Sequence, residues 1–312
     1  MHSISIATAF GLLGSAYAFP QPLSLSKRQT LASFSDIDIL NYALTLEHLE
    51  ATFYRQGLVA LSATDFSNAG LPATVYTRLS EVAAHEKAHV DFLTAALGSA
   101  ATAECTYAFP LDTVASFLAV ASVLEGVGVS AYLGAARQIS NKDYLTAAGS
   151  ILTVESRHSA YLRDTSSGQQ LSPFPTANDV GLSPNAIFTL ASAFITSCPS
   201  TNPVLPVKPF PALAASATGA VMPGSEVEVK SKAVLTPGGD HAKLYAAFIT
   251  ASGPVFTDLG QGGDGTSFSV KVPATGVAGQ SYLVLCNCNE KVDDSTIVAG
   301  PAIVEVGTVE AS

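Results

Sequence analysis

The spacing of apolar positions changes once along the chain. Up to about residue 195 it is helical. Beyond residue 211, short apolar runs alternate with turns rich in Gly, Pro and Asp. Four long helices are predicted in the first part. Helix A runs from Asp36 to Gln56, with Ser35 as N-cap, Asp38 in the capping-box position and Gly57 as its stop. Helix B begins near Pro72, read as its first residue, and ends at Gly98. Helix C starts after Pro110, with Asp112 in its first turn, and runs to about Ile139. Helix D starts at the N-cap Asn141 and ends before Gly168. A turn-rich stretch from Ser166 to Leu182 is long for a connection and reads as a lid or binding loop. Ser183-Pro184 then opens a short fifth helix through about Ile195.

Four prolines between Thr201 and Pro211 mark residues 201–212 as a linker. Beyond it, Val227 and Val229, Val234-Leu235, Leu244 to Ile249, Phe268 to Val272, Tyr282 to Leu285 and Ile303 to Val306 read as strands. Short strands at this density predict an immunoglobulin-like β-sandwich over 213–312. His241, beside a turn, reads as solvated. The fold class is therefore α+β and multidomain: a helical bundle over 29–200, then a sandwich.

Helix C is almost uncharged from Val114 to Ala136, apart from Glu125. An ionised Glu buried there without a partner would cost several kcal/mol. Glu125 also belongs to a pattern that repeats. Glu86-Lys87-Ala88-His89 and Glu155-Ser156-Arg157-His158 are both Glu-x-x-His, which places a carboxylate and an imidazole on one helix face. Upstream of each, Leu46-Glu47 precedes Tyr54 and Leu124-Glu125 precedes Tyr132, with the same Glu-to-Tyr spacing of seven. Each of the four Glu lies about 18 to 22 Å into its helix, so antiparallel helices bring them to one level. The order Glu, Glu-x-x-His, Glu, Glu-x-x-His is the ligand set of a two-metal carboxylate site. The candidate ligands are Glu47, Glu86, His89, Glu125, Glu155 and His158. Two divalent cations would leave four carboxylates near neutral. Carboxylate and imidazole donors suit Fe or Mn, with zinc a third candidate. Glu50, one turn after Glu47, is the alternate ligand. The internal repeat favours Glu47, which aligns with Glu125, whereas Glu50 aligns with Gly128. Tyr54, Tyr132 and His85 are candidates to hydrogen-bond the ligands; His48 points elsewhere and Arg157 faces outward. Gly126, Gly128, Ser130 and Gly134 in helix C are read as allowing close helix approach.

The 312 residues are 48% apolar and 13% charged, enough for two sizeable cores. The formal charge of −10 argues against nucleic acid or an anionic membrane as partner. Ile4 to Ala16, followed by Ala16-Tyr17-Ala18, reads as a signal peptide over 1–18. Phe19 to Arg28 reads as a pro-segment ending at Lys27-Arg28, with the mature chain starting at Gln29. The expected location is secreted, extracellular or in a cell wall, and no later run forces a membrane span. Four Cys in an oxidising compartment make disulfides the default, with three connectivities open. Cys105 with Cys198 is favoured because both sit just outside predicted helices. Cys286 and Cys288 would strain a loop by pairing with each other, and no second Cys/His pair makes them a metal site. There is no Asn-x-Ser/Thr sequon.

Leu46-Glu47-His48-Leu49-Glu50-Ala51, Glu86 to His89, Cys105 to Pro110, Gly128 to Ala136 and Glu155 to His158 together resemble the ferritin-like superfamily. Within it they are most similar to secreted fungal ferritin-like-domain proteins grouped with stress, desiccation and sexual development. The resemblance covers about Ser35 to Pro199. It implies a ferritin-like four-helix bundle with a metal site, and leaves the reaction open. The appended sandwich departs from cage-forming ferritins. Three functions are expected to compete. One is a di-iron or di-manganese oxidoreductase acting on peroxide, O2 or a small substrate. Another is a non-catalytic stress or development protein with structural or sequestered metal. The third is a cell-wall or glycan-binding protein working through its sandwich.

Overall fold

The computed structural model describes residues 34–165, 171–236, 243–262 and 264–308. The expected signal peptide, the pro-segment and His241 lie outside them.

α1 (Asp36–Ala60) begins as its capping box dictates. The Ser35 hydroxyl accepts the Asp38 N–H and the Asp38 carboxylate accepts the Ser35 N–H. It does not stop at Gly57. That residue is buried inside the helix under Phe117, whose ring a Cβ there would approach to 2.1 Å. α2 (Ala63–Asn68), a short helix absent from the sequence reading, places Phe66 edge-on against Tyr76 and Phe117. α3 (Ala73–Leu97) has Pro72 at its N-cap rather than in its first turn, and ends at Gly98 with φ 56°. α4 (Val114–Ala135) is capped by Thr113 and Ser116, so Asp112 lies outside it, and a 3-10 turn extends it to Gln138. α5 (Lys142–Thr165) starts on Asn141, whose side chain accepts the Asp143 and Tyr144 N–H groups.

α1 packs along α3 and α4 along α5, and contacts of α1 with α4 and of α3 with α5 close the bundle. By length and composition alone, one helix passes the test for a membrane span. Among the described residues, Val114–Gln138 is long and apolar enough, with 67% of its most apolar window buried. Its apolarity follows from its central place, with neighbours on several sides.

α6 (Pro184–Ala191) starts at the Ser183 cap and ends earlier than expected, because the chain turns into β2 (Ile195–Ser197). That strand pairs with β1 (Thr106–Tyr107), and a Cys105–Cys198 disulfide sits beside the pair. Cys286 and Cys288 are free, and the Cys286 thiol donates to the Tyr245 and Cys288 carbonyls. The proline-rich stretch is not a free tether. Leu205, Val207 and Phe210 pack on the bundle core, and the N–H groups of Lys208 and Phe210 donate to Asn185 and Thr189 side chains.

Among the described residues, the sandwich has two four-stranded antiparallel sheets. One runs β3 (Leu213–Ser216), β4 (Glu226–Ser231), β8 (Ser267–Lys271), β7 (Leu259–Gln261). The other runs β10 (Ile297–Val306), β9 (Gly279–Cys286), β5 (Tyr245–Ile249), β6 (Val255–Thr257). With the strands lettered in chain order these are ABED and GFCC′, the immunoglobulin arrangement with one added strand. β3, β6 and β7 lack a legible apolar run. The expected strand at Val234-Leu235 does not form; Leu235 is buried there from a loop, its N–H on the Gly265 carbonyl.

The sandwich seats on the bundle through polar contacts to α4, α5 and α6. Tyr282, on β9, shares a hydrogen bond with Ser130 and donates to the Gly126 carbonyl. Gln280 donates to the Val123 carbonyl. Arg163 forms a two-pronged pair with Glu305 at 2.8 and 3.0 Å. Asp294 accepts from Ser183 and Asn185. Two of the α4 glycines serve contacts other than helix packing. A Cβ on Gly126 would strike Gln280 at 2.5 Å, and one on Gly134 would lie 1.8 Å from the Leu182 carbonyl oxygen.

Candidate metal centre

α1 contributes Glu47, α3 contributes Glu86 and His89, α4 contributes Glu125, and α5 contributes Glu155 and His158. All six are buried, and the four carboxylates show 0% exposure. The i, i+3 spacing places each imidazole one turn beyond its own Glu, on the face that the helices turn inward.

His89 Nδ1 lies 3.2 Å from Glu47 Oε2, 3.3 Å from Glu86 Oε2 and 3.3 Å from Glu155 Oε1. His158 Nδ1 lies 3.1 Å from Glu86 Oε1, 3.2 Å from Glu125 Oε2 and 3.9 Å from Glu155 Oε2. The residues therefore sort into two groups, Glu47–Glu86–His89–Glu155 and Glu86–Glu125–Glu155–His158. Within each, one donor atom per residue falls within 4.8 Å of the others. Glu86 and Glu155 belong to both groups, and each turns one oxygen toward each imidazole.

Protons alone satisfy this arrangement poorly. An imidazole Nδ1 carries at most one proton, and here it faces three oxygens. Among the described residues, Glu47 Oε2, Glu86 Oε1 and both Glu155 oxygens are buried without a hydrogen-bond donor. Such atoms are costly unless something positive stands among them. The donor set, oxygen with imidazole nitrogen, fits divalent Fe, Mn or Zn.

The outer carboxylate oxygens are held by the two tyrosines, in a crossed sense. Tyr54 of α1 donates to Glu125 Oε1 of α4 at 2.5 Å, and Tyr132 of α4 donates to Glu47 Oε1 of α1. Burial first, and the adjacent carboxylates next, push both phenols well above their ordinary value, so they stay donors. His85 Nδ1 lies 3.0 Å from His158 Nε2 with the rings stacked, on the side of His158 away from the carboxylates. His48 points elsewhere, to the Thr102 carbonyl, and Arg157 is exposed.

Both carboxylates of α1 are inward. Glu50 is 3% exposed and approaches Gly128; a Cβ there would lie 3.2 Å from Glu50 Oε1 and 3.5 Å from Glu155 Oε2. Glu50 stands beside the two donor groups rather than replacing Glu47 in either. The repeat carried the signal for it: the position equivalent to Glu50 is a glycine, which leaves room for that side chain.

Without a cation the cluster is held by protons. Burial raises Glu47 to about 7, although the approach of the His89 ring pulls the other way. Burial and then neighbouring carboxylates raise Glu50 and Glu155. Burial also acts to raise Glu86, but the two histidines outweigh it and hold that carboxyl at about 2. Burial alone would lower the imidazoles. The surrounding carboxylates overcome it, raising His89 to about 12 and His158 to about 9.

A four-helix bundle closing over paired Glu and Glu-x-x-His segments defines the ferritin-like class. Residues 35–168 match the family model described as ferritin-like domain, so this part of the chain is a ferritin-like domain. The chain is also similar to protein rds1 of Schizosaccharomyces pombe, with 30% identity over 186 residues. That match covers 59% of this chain and 46% of the relative, so the chain spans less than half the length of the curated protein it matches.

Proposed function

We propose that the bundle core holds two divalent metal ions, Fe or Mn, and works as an oxidoreductase centre for peroxide or dioxygen. Glu47 and His89 would hold one ion and Glu125 and His158 the other, with Glu86 and Glu155 shared. The observation that carries this is the set of four buried carboxylate oxygens without donors, facing two imidazoles. Bound there, the ions would supply redox and Lewis-acid chemistry. The chain's own residues do the rest. Tyr54 and Tyr132 fix the rotamers of Glu125 and Glu47, His85 fixes the His158 ring, and the apolar length of α4 keeps bulk water out. Elemental analysis of the purified native protein is expected to return two ions per chain, with peroxide consumption that follows metal content. A full-length folded protein that takes up neither metal would end this reading.

A second reading, metal held for structure or sequestration without turnover, is favoured by the burial of all four ligand carboxylates. It predicts full metal content, no peroxide consumption and a large fall in Tm on chelation. We also place the protein outside the cell, supported by the Cys105–Cys198 bridge and the apolar run before Ala18. Protein recovered from culture medium should then begin at Gln29.

A further inference from the structure

The seam between bundle and sandwich is not closed. A cleft of about 240 Å³ lies between α1, α4 and the segment after α6 on one side and β3 and β10 on the other. Its walls are apolar side chains, among them Leu49, Val127, Leu190, Leu213 and Ile303. Ala193 and Ala214 on its lining are solvent-exposed, so it opens outward. Among the described residues, Glu50 is the one charged residue that lines it, with Gly128 beside it. Glu50 is nine-tenths buried and more, and burial and the charges of other carboxylates, not hydrogen bonds, dominate its surroundings. It accepts no hydrogen bond from the described residues. Its carboxylate is also the group nearest the empty Cβ position of Gly128, with Glu155 of the metal centre next. An apolar cleft open to solvent thus ends on an unpartnered acceptor that borders the cluster of candidate ligands.

We propose that this cleft binds a small uncharged molecule with an apolar body and one hydroxyl, a short aliphatic or aromatic alcohol, and presents it to the metal centre across Glu50. Its destination rests on the metal-centre reading above; the cleft itself does not. The chemistry selects the class. An anion or a hydrated cation would shed water against leucine and valine walls. An apolar body buries against those walls, and a hydroxyl supplies the donor that Glu50 lacks. The sandwich then has a direct part in the site, because β3 and β10 form one wall.

The test uses the full chain loaded with Mn(II), benzyl alcohol and toluene as probes, and saturation-transfer NMR. Benzyl alcohol is expected to bind about tenfold more tightly than toluene, the difference that one hydrogen bond to a buried carboxyl oxygen makes. Its proton lines should broaden through the nearby Mn(II). Ala215→Trp, on the β3 wall and away from the ligands, should abolish binding and broadening while metal content stays the same. Glu50→Leu should erase the preference for the alcohol. If Ala215→Trp does not fold, Ala193→Trp takes its place. Absence of benzyl alcohol binding to the wild type, or binding and broadening that persist in the filled variant, overturns the proposal. Saturation transfer reads the cleft even in a protein that takes up no Mn(II), and that lack of metal would count against the metal centre alone.

Discussion

Glu86 and Glu155 each face both imidazoles, whereas Glu47 and Glu125 each face one. Substitution should therefore separate them by stoichiometry. Glu155→Gln keeps the volume but removes the charge common to both donor groups, and elemental analysis should find both ions largely lost. Glu47→Gln should leave one ion bound, since the group containing His158 does not include it. Equal losses from the two variants would argue against shared carboxylates. The candidate ligands were legible in the sequence because helical geometry turns i, i+3 into one face and the segment occurs twice. The sharing was not legible, because it depends on where each of two oxygens points. Nor was the crossed tyrosine pairing. A spacing of seven aligns Tyr54 with Glu47 on one helix, yet the structure bonds Tyr54 to Glu125.

The lesson of the helices lies in their glycines. Each weakens a helix by about 1 kcal/mol relative to alanine, so each invites the question of what it permits. In α1 and α4 the answer is a close neighbour: Phe117 at Gly57, Gln280 at Gly126, Glu50 at Gly128 and the Leu182 carbonyl at Gly134. Gly149 in α5 has none of the described residues within 4 Å of its Cβ position. Gly149→Ala should therefore raise stability by about 1 kcal/mol, through helix propensity alone. Gly134→Ala should lower it despite the same propensity gain, because its Cβ would stand 1.8 Å from a backbone oxygen. Urea unfolding of the two variants should give midpoints shifted in opposite directions. Gly128 does face neighbouring helices, but reading Gly57 as a helix stop and Gly126 and Gly134 as helix-packing residues missed their true neighbours for one reason. Propensity reports the cost of a glycine, and only the fold shows what occupies the space. Strands β6 and β7 escaped notice similarly, since three residues cannot display a period.

At the scale of the molecule, the seating of the sandwich was invisible in the sequence, because it joins residues more than a hundred positions apart, such as Arg163 and Glu305. Arg163 is 5% exposed and also donates to the Ser172 carbonyl. Arg163→Ala should cost about 2 to 3 kcal/mol, at the lower end for a broken buried pair because Glu305 keeps some contact with water. The exposed pair Lys87–Asp91 should be worth well under about 1 kcal/mol in the same assay. The metal centre couples to the whole fold through pH. In metal-free protein Glu47 is raised from 4.5 to about 7 and His158 from 6.5 to about 9. A group with a raised folded pKa stabilises fully below its unfolded value and loses that contribution as pH climbs to the folded one. Glu47 and His158 together therefore remove stability between about pH 5 and pH 9. Glu86, lowered to about 2, acts in the opposite sense; its contribution is intact above 4.5 and is lost only as pH falls toward 2. Chelated protein should accordingly melt highest near about pH 5 and lower at about pH 8. Metal reverses the trend, because ligands must shed protons to bind it. Added Mn(II) should raise Tm strongly at about pH 8 and little at about pH 5. Melting curves with chelator and with Mn(II) across that range check both slopes. A chelated protein that grows more stable toward pH 8 would mean that the cluster is not holding protons in place of metal.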